Sequence, residues 1–489
     1  MSFRQKAHFL IKGLTKTKIC AARFRNIKEF EMRKRAHVMK DVSHPYSITW
    51  RFVMASYALK LKRKLNGLIC NMALHPAQFS KRPGKDFTRS GKLGLEKTLA
   101  ILLSMEGKSL NNELMSFFPN SPDLPSASAF VQSRAKLNDD ALPFLFKSFV
   151  SSQPPKLFYR GYQLLAVDGS TLQIPYIPSN KESLVIYSDR QRPVNMLHLH
   201  ALYDLKAHTY VDAVIEGKQV YNEHRALIQM CSRNPSPHSL YIADRGYESF
   251  NLIAHLQMLK AKFLIRIRDS CGILSGLPLP ASDQFDCSFS LKVSGKKAKN
   301  TRQLFQDKTH FKYISSQKMD YAALPIDEDG FVPLHFRVVR FRLSGDHFEA
   351  IITNLDPGSF PVDELKKLYA MRWGIETSFR KLKYTLGLLS FHAKKVEYIR
   401  QEIFARLIMY NFCELITSHI TIRHSSRKLE YQVNFSAAVH ACRQFFRGNV
   451  SPPILEALIS RYISPIRPDR SFPRTPPARG LVSFAYRIA

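Results

Sequence analysis

The chain has 489 residues, 45% of them apolar, and carries 73 Lys and Arg against 39 Asp and Glu, a formal charge of +34. The length implies roughly two to four domains, and the apolar share excludes a disordered chain. A field this positive calls for a polyanionic partner, nucleic acid first, with a ribosome-associated or membrane-surface protein as the alternatives.

The first 64 residues hold 17 Lys and Arg and only three acids, Glu29, Glu31 and Asp41. The run Met32-Arg33-Lys34-Arg35 is densest. It reads as a solvated face or as part of a nucleic-acid-binding surface. No continuous apolar segment marks a secretory signal, although the scarcity of acids before Glu29 also suits an organellar transit peptide. From Leu93 to Phe149 the apolar spacing is helical. One helix begins near Leu95. Another runs from Ala127 to Leu137, with Ser126 or Ser128 as its N-cap.

The texture changes at Gln153-Pro154-Pro155, a linker signal. Tyr162 to Val167 then reads as a strand that leads into a turn at Asp168-Gly169-Ser170. Strands follow at Met196 to Leu205 and Thr209 to Ile215, joined by the short Lys206-Ala207-His208 connection. A helix over Tyr221 to Cys231 precedes the strand Leu240 to Ala243, which ends at Asp244-Arg245-Gly246-Tyr247. A helix, Phe250 to Leu259, and a strand, Phe263 to Ile267, complete a mixed α/β layer. Residues 269 to 355 are mostly β, with strands at Phe285 to Val293, Leu334 to Leu343 and Phe348 to Asn354.

Pro361 to Gly387 reads as one long helix, with Pro361 at its start, Asp363 and Glu364 in the first turn and Gly387 at its end. Ile403 to Ile422 contains Arg406, Glu414 and His419, so it reads as a buried helix and not as a membrane span. From Ser451 the abundance of Pro and Arg predicts an extended tail. The seven Cys are scattered and form no C-x-x-C pair, as expected of reduced thiols in the cytoplasm.

The long helix carries Tyr369, Arg372, Glu376 and Lys383. Steps of 3, 4 and 7 put all four on one face of a continuous helix. Leu368, Ile375, Phe379 and Leu382 form an apolar stripe beside them, so the helix can bury one stripe and present the other. Asp168 and Asp244 each follow an apolar strand. Either one alone is an ordinary turn or salt-bridge residue. With Glu376 they make three carboxylates on separate elements. Such a set can meet at a sheet edge and hold two divalent cations, Mg²⁺ or Mn²⁺, for in-line phosphoryl transfer.

Together these motifs resemble the DDE transposases of bacterial insertion sequences, in particular the cut-and-paste group, insertion-sequence family four, marked by a Tyr-Arg-Glu-Lys signature. Tyr369, Arg372, Glu376 and Lys383 carry the resemblance, with Asp168 in Val-Asp-Gly-Ser-Thr and Asp244 in Ala-Asp-Arg-Gly-Tyr. It implies an α/β fold: a ribonuclease-H-like mixed sheet interrupted by a β-rich insertion, with helical regions at both ends. It implies Asp168, Asp244 and Glu376 as catalytic metal ligands. It also implies DNA contacts by Tyr369, Arg372 and Lys383 near a flipped base, to which Trp373 and Arg245 are added. Some relatives stack an aromatic of the insertion on that base. Neither Trp50 nor Trp373 lies in the insertion, which leaves Phe336 or Phe341 as substitutes, or no such contact.

The expected organisation is a basic helical DNA-binding region over 1–152, the core's first part over 156–268, the insertion over 269–355, the core's second part over 356–425, and a helical region with a basic tail over 426–489. The expected partner is double-stranded DNA, both transposon ends and target, bound by a homodimer at synapsis, in the cytoplasm on the nucleoid. A nuclease without strand transfer and an inactive DNA-binding relative are the rival functions. Gly107-Lys108-Ser109 is no phosphate-binding loop, because Leu102 stands where the first Gly belongs. His198 and His200 alternate on a strand without a metal-ligand partner at a recognisable spacing, and His224 reads as structural.

Overall fold

The computed structural model describes residues 46–466, apart from 90, 120, 154–156, 189–191, 270, 297–300, 345–346 and 421–429. Most of the basic N-terminal segment, Trp50's side chain, most of the linker and the Arg-rich end of the tail therefore lie outside the described residues. Two compact units emerge.

The first unit takes residues up to Ser104, Ser121–Ser152 and the chain from Ile416. Its helices are α1 (Tyr46–Leu74), α2 (Leu95–Ser104), α4 (Ala127–Ala135), α5 (Ala141–Ser151), α11 (Phe435–Arg447) and α12 (Pro452–Arg461). Leu61, Leu65, Ile69 and Met72 recur at helical spacing on α1 and are buried, as are Leu99, Leu103, Phe149, Leu455 and Ile459 of its neighbours. Ser126 is the cap of α4, its hydroxyl accepting from Ala129 N at 3.1 Å. The extended tail expected from Ser451 is corrected here. Pro452 and Pro453 occupy the first turn of α12, where a missing N–H costs nothing, and extension begins only at Ile463–Pro465.

The second unit is built on one sheet of ten strands: β1 (Gln163–Ile174), β2 (Leu184–Val185), β3 (Val194–Asp204), β4 (Thr209–Gly217), β5 (Ser239–Ala243), β6 (Lys262–Ile267), β7 (Phe285–Ser294), β8 (Phe311–Tyr313), β9 (Val332–Ser344) and β10 (His347–Thr353). Strands β4, β3 and β1 are antiparallel neighbours, and β5 and β6 continue parallel to β1. This order, β4-β3-β1-β5-β6, is ribonuclease-H-like. The crossovers between the parallel strands run through helices, as they must: α6 (Glu223–Arg233) before β5 and α7 (Phe250–Met258) between β5 and β6. All eleven residues of β3 are buried. The insertion strands are not a separate sheet. β10 pairs antiparallel with β6, and β9 and β7 extend the same sheet outward.

Two expectations near the signature residues are corrected. Asp168-Gly169-Ser170 is no turn: β1 runs unbroken to Ile174 and pairs with β3 throughout, with Asp168 opposite Ala201. The single long helix is α8 (Val362–Met371), a break at Arg372, α9 (Trp373–Arg380) and a π turn over Lys381–Thr385. Gly387 does end it, at a φ of 78° that favours glycine. The remaining helices of this unit are α3 (Leu110–Phe117) and α10 (Val396–Thr417), the latter covering most of the apolar stretch expected to be helical. Among the described residues no helix is long and apolar enough to cross a membrane.

Candidate active site

Parallel pairing of β1 with β5 ends at Ala166 opposite Ile242. Asp168 and Asp244 each lie two residues further on, at matching places where the two chains part. Neighbouring strands are about 4.8 Å apart, so topology alone puts both carboxylates at one opening of the sheet. Asp168 Oδ1 accepts from Gly169 N at 2.8 Å. Asp244 caps the short turn Arg245–Tyr247, its Oδ1 accepting from Gly246 N at 2.9 Å. No ion pair joins Asp244 to Arg245, which is exposed.

Glu376 comes from α9. Ile375, Phe379 and Leu382 are buried, as the apolar stripe predicts. Ser378 Oγ meets Tyr210 Oη of β4 at 2.8 Å, fastening the helix to the sheet. Glu376 Oε1 accepts from Arg372 Nη2 at 2.8 Å. The polar stripe, however, is not a solvent face. Tyr369 and Arg372 are each only 7% exposed. The Arg372 guanidinium lies 5.5 Å from the Tyr369 ring and 5.7 Å from that of Trp373. Lys383 sits in the π turn, and its ammonium donates to Thr171 O of β1 at 3.3 Å. Burial lowers its pKa, against the opposing pull of the Asp168 charge. Trp373 is half exposed.

Burial pushes the Asp168 carboxyl up to about 6; the Gly169 N–H opposes the rise, the charges of Asp244 and Glu376 add to it, and Arg372 opposes it. Asp168 thus feels the charges of both other acids. As they stand, each is bonded to a nearby backbone amide or to Arg372. Among the described residues no three His, Cys, Asp or Glu side chains converge closely enough to cage a metal. The donor set nevertheless fits a hard divalent cation. It consists of carboxylate oxygens, and such an ion would offset both the burial of the Asp168 charge and the repulsion that adds to it.

The histidines of β3 have acidic partners that spacing did not reveal. His200 Nε2 is 3.2 Å from Glu216 Oε2, and His198 Nε2 is 3.6 Å from Glu223 Oε1. Burial pushes His198 down to about 3 and His200 down to about 4, so both are neutral. His198 stacks on Tyr221 with ring centres 4.4 Å apart. His224 Nε2 meets Gly246 O at 2.9 Å, a structural contact. The only sequence signal for Glu223 was its place at the start of a helix directly after Asn222. Phe336 and Phe341 are 3% and 2% exposed, which removes them as base-stacking candidates: both fill the core. The false phosphate loop is also explained, since the amides of Glu106, Gly107 and Lys108 all donate to Glu113 Oε1.

Residues 159–412 match the family described as Transposase DDE domain. The transposase InsG for insertion sequence element IS4, from Escherichia coli (strain K12), is 20% identical over 382 residues, covering 74% of this chain and 79% of its own length. A piggyBac transposase, solved by cryo-EM in a synaptic complex with hairpin DNA, overlays with a TM-score of 0.44 at 8% identity, over 80% of each chain.

Proposed function

This chain belongs to the DDE transposase family, enzymes that act on DNA with divalent metal, and from that premise we propose that it binds transposon-end inverted repeats, cleaves there and joins the freed 3′ ends to target DNA. The proposed order is a nick by water that frees a 3′ hydroxyl, attack of that hydroxyl on the opposite strand to give a hairpin, hydrolysis of the hairpin, and attack on the target. Each step breaks one phosphorus–oxygen bond and forms another, to a water oxygen or to a 3′ oxygen, so no covalent bond to the protein is needed. The hairpin step follows from the family resemblance.

Asp168, Asp244 and Glu376 are the proposed ligands, and Mg²⁺ or Mn²⁺ the proposed ions. Two bound ions would activate the attacking oxygen and stabilise the leaving one. Arg372 holds Glu376 through its 2.8 Å bond and, with Tyr369 and Lys383, meets the DNA end; Trp373 and Arg245, both exposed, add contacts. The net charge of +34 supplies the attraction that brings a polyanion to an acidic centre. Synapsis of two ends calls for at least two protomers, hence a homodimer on the nucleoid. The observation that carries this proposal is the matched placing of Asp168 and Asp244, each two residues past the last paired residues of β1 and β5, with Glu376 held by Arg372 on the helix beside them.

The test incubates the full chain with Mg²⁺, end DNA and a target plasmid. Joined products are expected from the natural sequence. Asp168→Asn, Asp244→Asn and Glu376→Gln should each abolish cleavage and keep end binding. Cuts without joining would favour the nuclease rival, and three fully active variants would refute the site.

A further inference from the structure

Glu223 opens α6, yet it does not cap it. Asn222 already accepts the Arg225 N–H at 2.9 Å. The two oxygens of Glu223 face elsewhere. Oε1 is 3.6 Å from His198 Nε2. Oε2 looks across Gly246: a Cβ placed on that glycine would lie 3.2 Å from Glu223 Oε2 and 3.0 Å from Asp244 Oδ1. Two carboxylate oxygens from separate elements therefore converge on Gly246, which has no side chain to obstruct them.

His198 lies behind Glu223, on the side of its other oxygen. It is 5% exposed, and its Nε2 is buried without a hydrogen-bond partner. Thr171 Oγ1 fixes the other ring nitrogen at 3.2 Å, and Tyr221 stacks on the ring. That nitrogen is therefore held between Glu223 Oε1 and the Gly169 backbone, a cost the fold tolerates where function demands it.

We propose that Glu223 is a fourth acidic ligand of the carboxylate centre, binding a divalent cation together with Asp244 while His198 walls the site behind it. This rests on the active-site assignment above. Two hard oxygens leave the other positions of an octahedral ion to Asp168, water and DNA phosphate.

Mn²⁺ binding to the full chain without DNA, read by the electron paramagnetic resonance of the free ion, tests this without turnover. Glu223→Gln should weaken Mn²⁺ binding about tenfold or more and leave end-DNA binding in chelator unchanged. Asp244→Asn is the reference and should lose Mn²⁺ binding outright. If Glu223→Gln binds Mn²⁺ like the natural chain while Asp244→Asn does not, Glu223 is only a helix-end acid. If Asp244→Asn also binds normally, the active-site assignment itself falls. Should Glu223→Gln fail to fold by circular dichroism, Glu223→Asp decides: it keeps the charge but withdraws the oxygen, so a several-fold loss supports the proposal and unchanged affinity overturns it.

Discussion

Asp168 and Asp244 occupy equivalent positions on adjacent parallel strands, each two residues past the last paired residues, Ala166 and Ile242. Parallel register, and not any contact between the two side chains, sets their proximity. A sheet that aligns two acids in this way stores their repulsion in the folded state. Functional sites commonly carry such a stability cost.

Burial of Asp168, with that repulsion added to it, carries a measurable cost. The Asp168 carboxyl titrates near 6 in the folded chain against an ordinary value of 3.8. The native state therefore keeps its proton over a range where the unfolded chain has released it. Stability falls as pH rises through this window and stays lower above it. At about 1.4 kcal/mol per pH unit the cost is at most about 3 kcal/mol. Asp168→Asn, which keeps the shape and removes the charge, should stabilise the protein by about 1–3 kcal/mol at pH 8 and by less at pH 5. Urea unfolding of both proteins at both pH values measures this; an equal or larger gain at pH 5 would contradict it. Mg²⁺ should raise the unfolding midpoint of the natural chain and not that of the variant.

Gly169 lies against the His198 ring so closely that a Cβ there would overlap Nε2. His198 cannot retreat easily, being stacked on Tyr221 and packed beside His200 at a ring separation of 4.5 Å. Gly169→Ala should therefore cost about 1–3 kcal/mol, the usual penalty of overpacking. Gly169→Ala combined with His198→Ala should recover part of that loss relative to the sum of the singles. Thermal unfolding of the three variants gives the coupling; strict additivity would show that the clash is relieved elsewhere.

These relationships were only partly legible in the sequence. The acids and the signature spacing are local, and the strand and helix periodicities around them are strong, so the mixed sheet could be read directly. What could not be read depends on pairing across the chain. Asp-Gly-Ser looks like a turn, but β3 supplies a partner for every residue of β1 from Leu165 to Ile174 and keeps it extended. The face carrying Tyr369 and Arg372 looked polar, yet packing buries both, and the π turn that shifts the phase of Lys383 after them has no local signal. Glu223 showed only its place at a helix start, because its link to His198 spans a strand, a loop and that helix start.

His392 is a buried histidine with the opposite response to that of the β3 pair. Burial alone would lower its pKa, but hydrogen bonding to Glu113 and Glu402 wins and raises it to about 8. Its Nε2 also meets Lys108 O at 2.9 Å. A raised folded value means stability that is fully present below the ordinary 6.5 and lost as pH climbs through about 8. His392→Gln should destabilise the protein by about 1–2 kcal/mol more at pH 6 than at pH 9. Glu113 is held near 2: burial would raise it, and His392 and the Lys108 and Glu106 amides outweigh burial. Its contribution is present above 4.5 and fades as pH falls toward about 2. Denaturant midpoints across pH 5–9 check the His392 term, and a pH-independent effect of His392→Gln would disprove it.

Tyr369 separates a structural from a DNA-binding role. Its hydroxyl is buried without a hydrogen-bond partner, and Arg266 and Arg372 place positive charge around it. Removing that oxygen gives up only weak polar interactions with Arg266 and Arg372, so Tyr369→Phe should change stability by less than about 1 kcal/mol. If the hydroxyl meets DNA once an end is seated, the same variant should weaken end binding several-fold, as expected for one lost hydrogen bond of about 1 kcal/mol. Arg372→Ala should behave differently, because it strips Glu376 of its 2.8 Å partner and leaves a gap between two rings. It should lose stability and cleavage together. Thermal unfolding and gel-shift titration of the two variants distinguish these outcomes: a Tyr369→Phe protein that is stable and binds ends at full affinity would remove Tyr369 from the DNA interface.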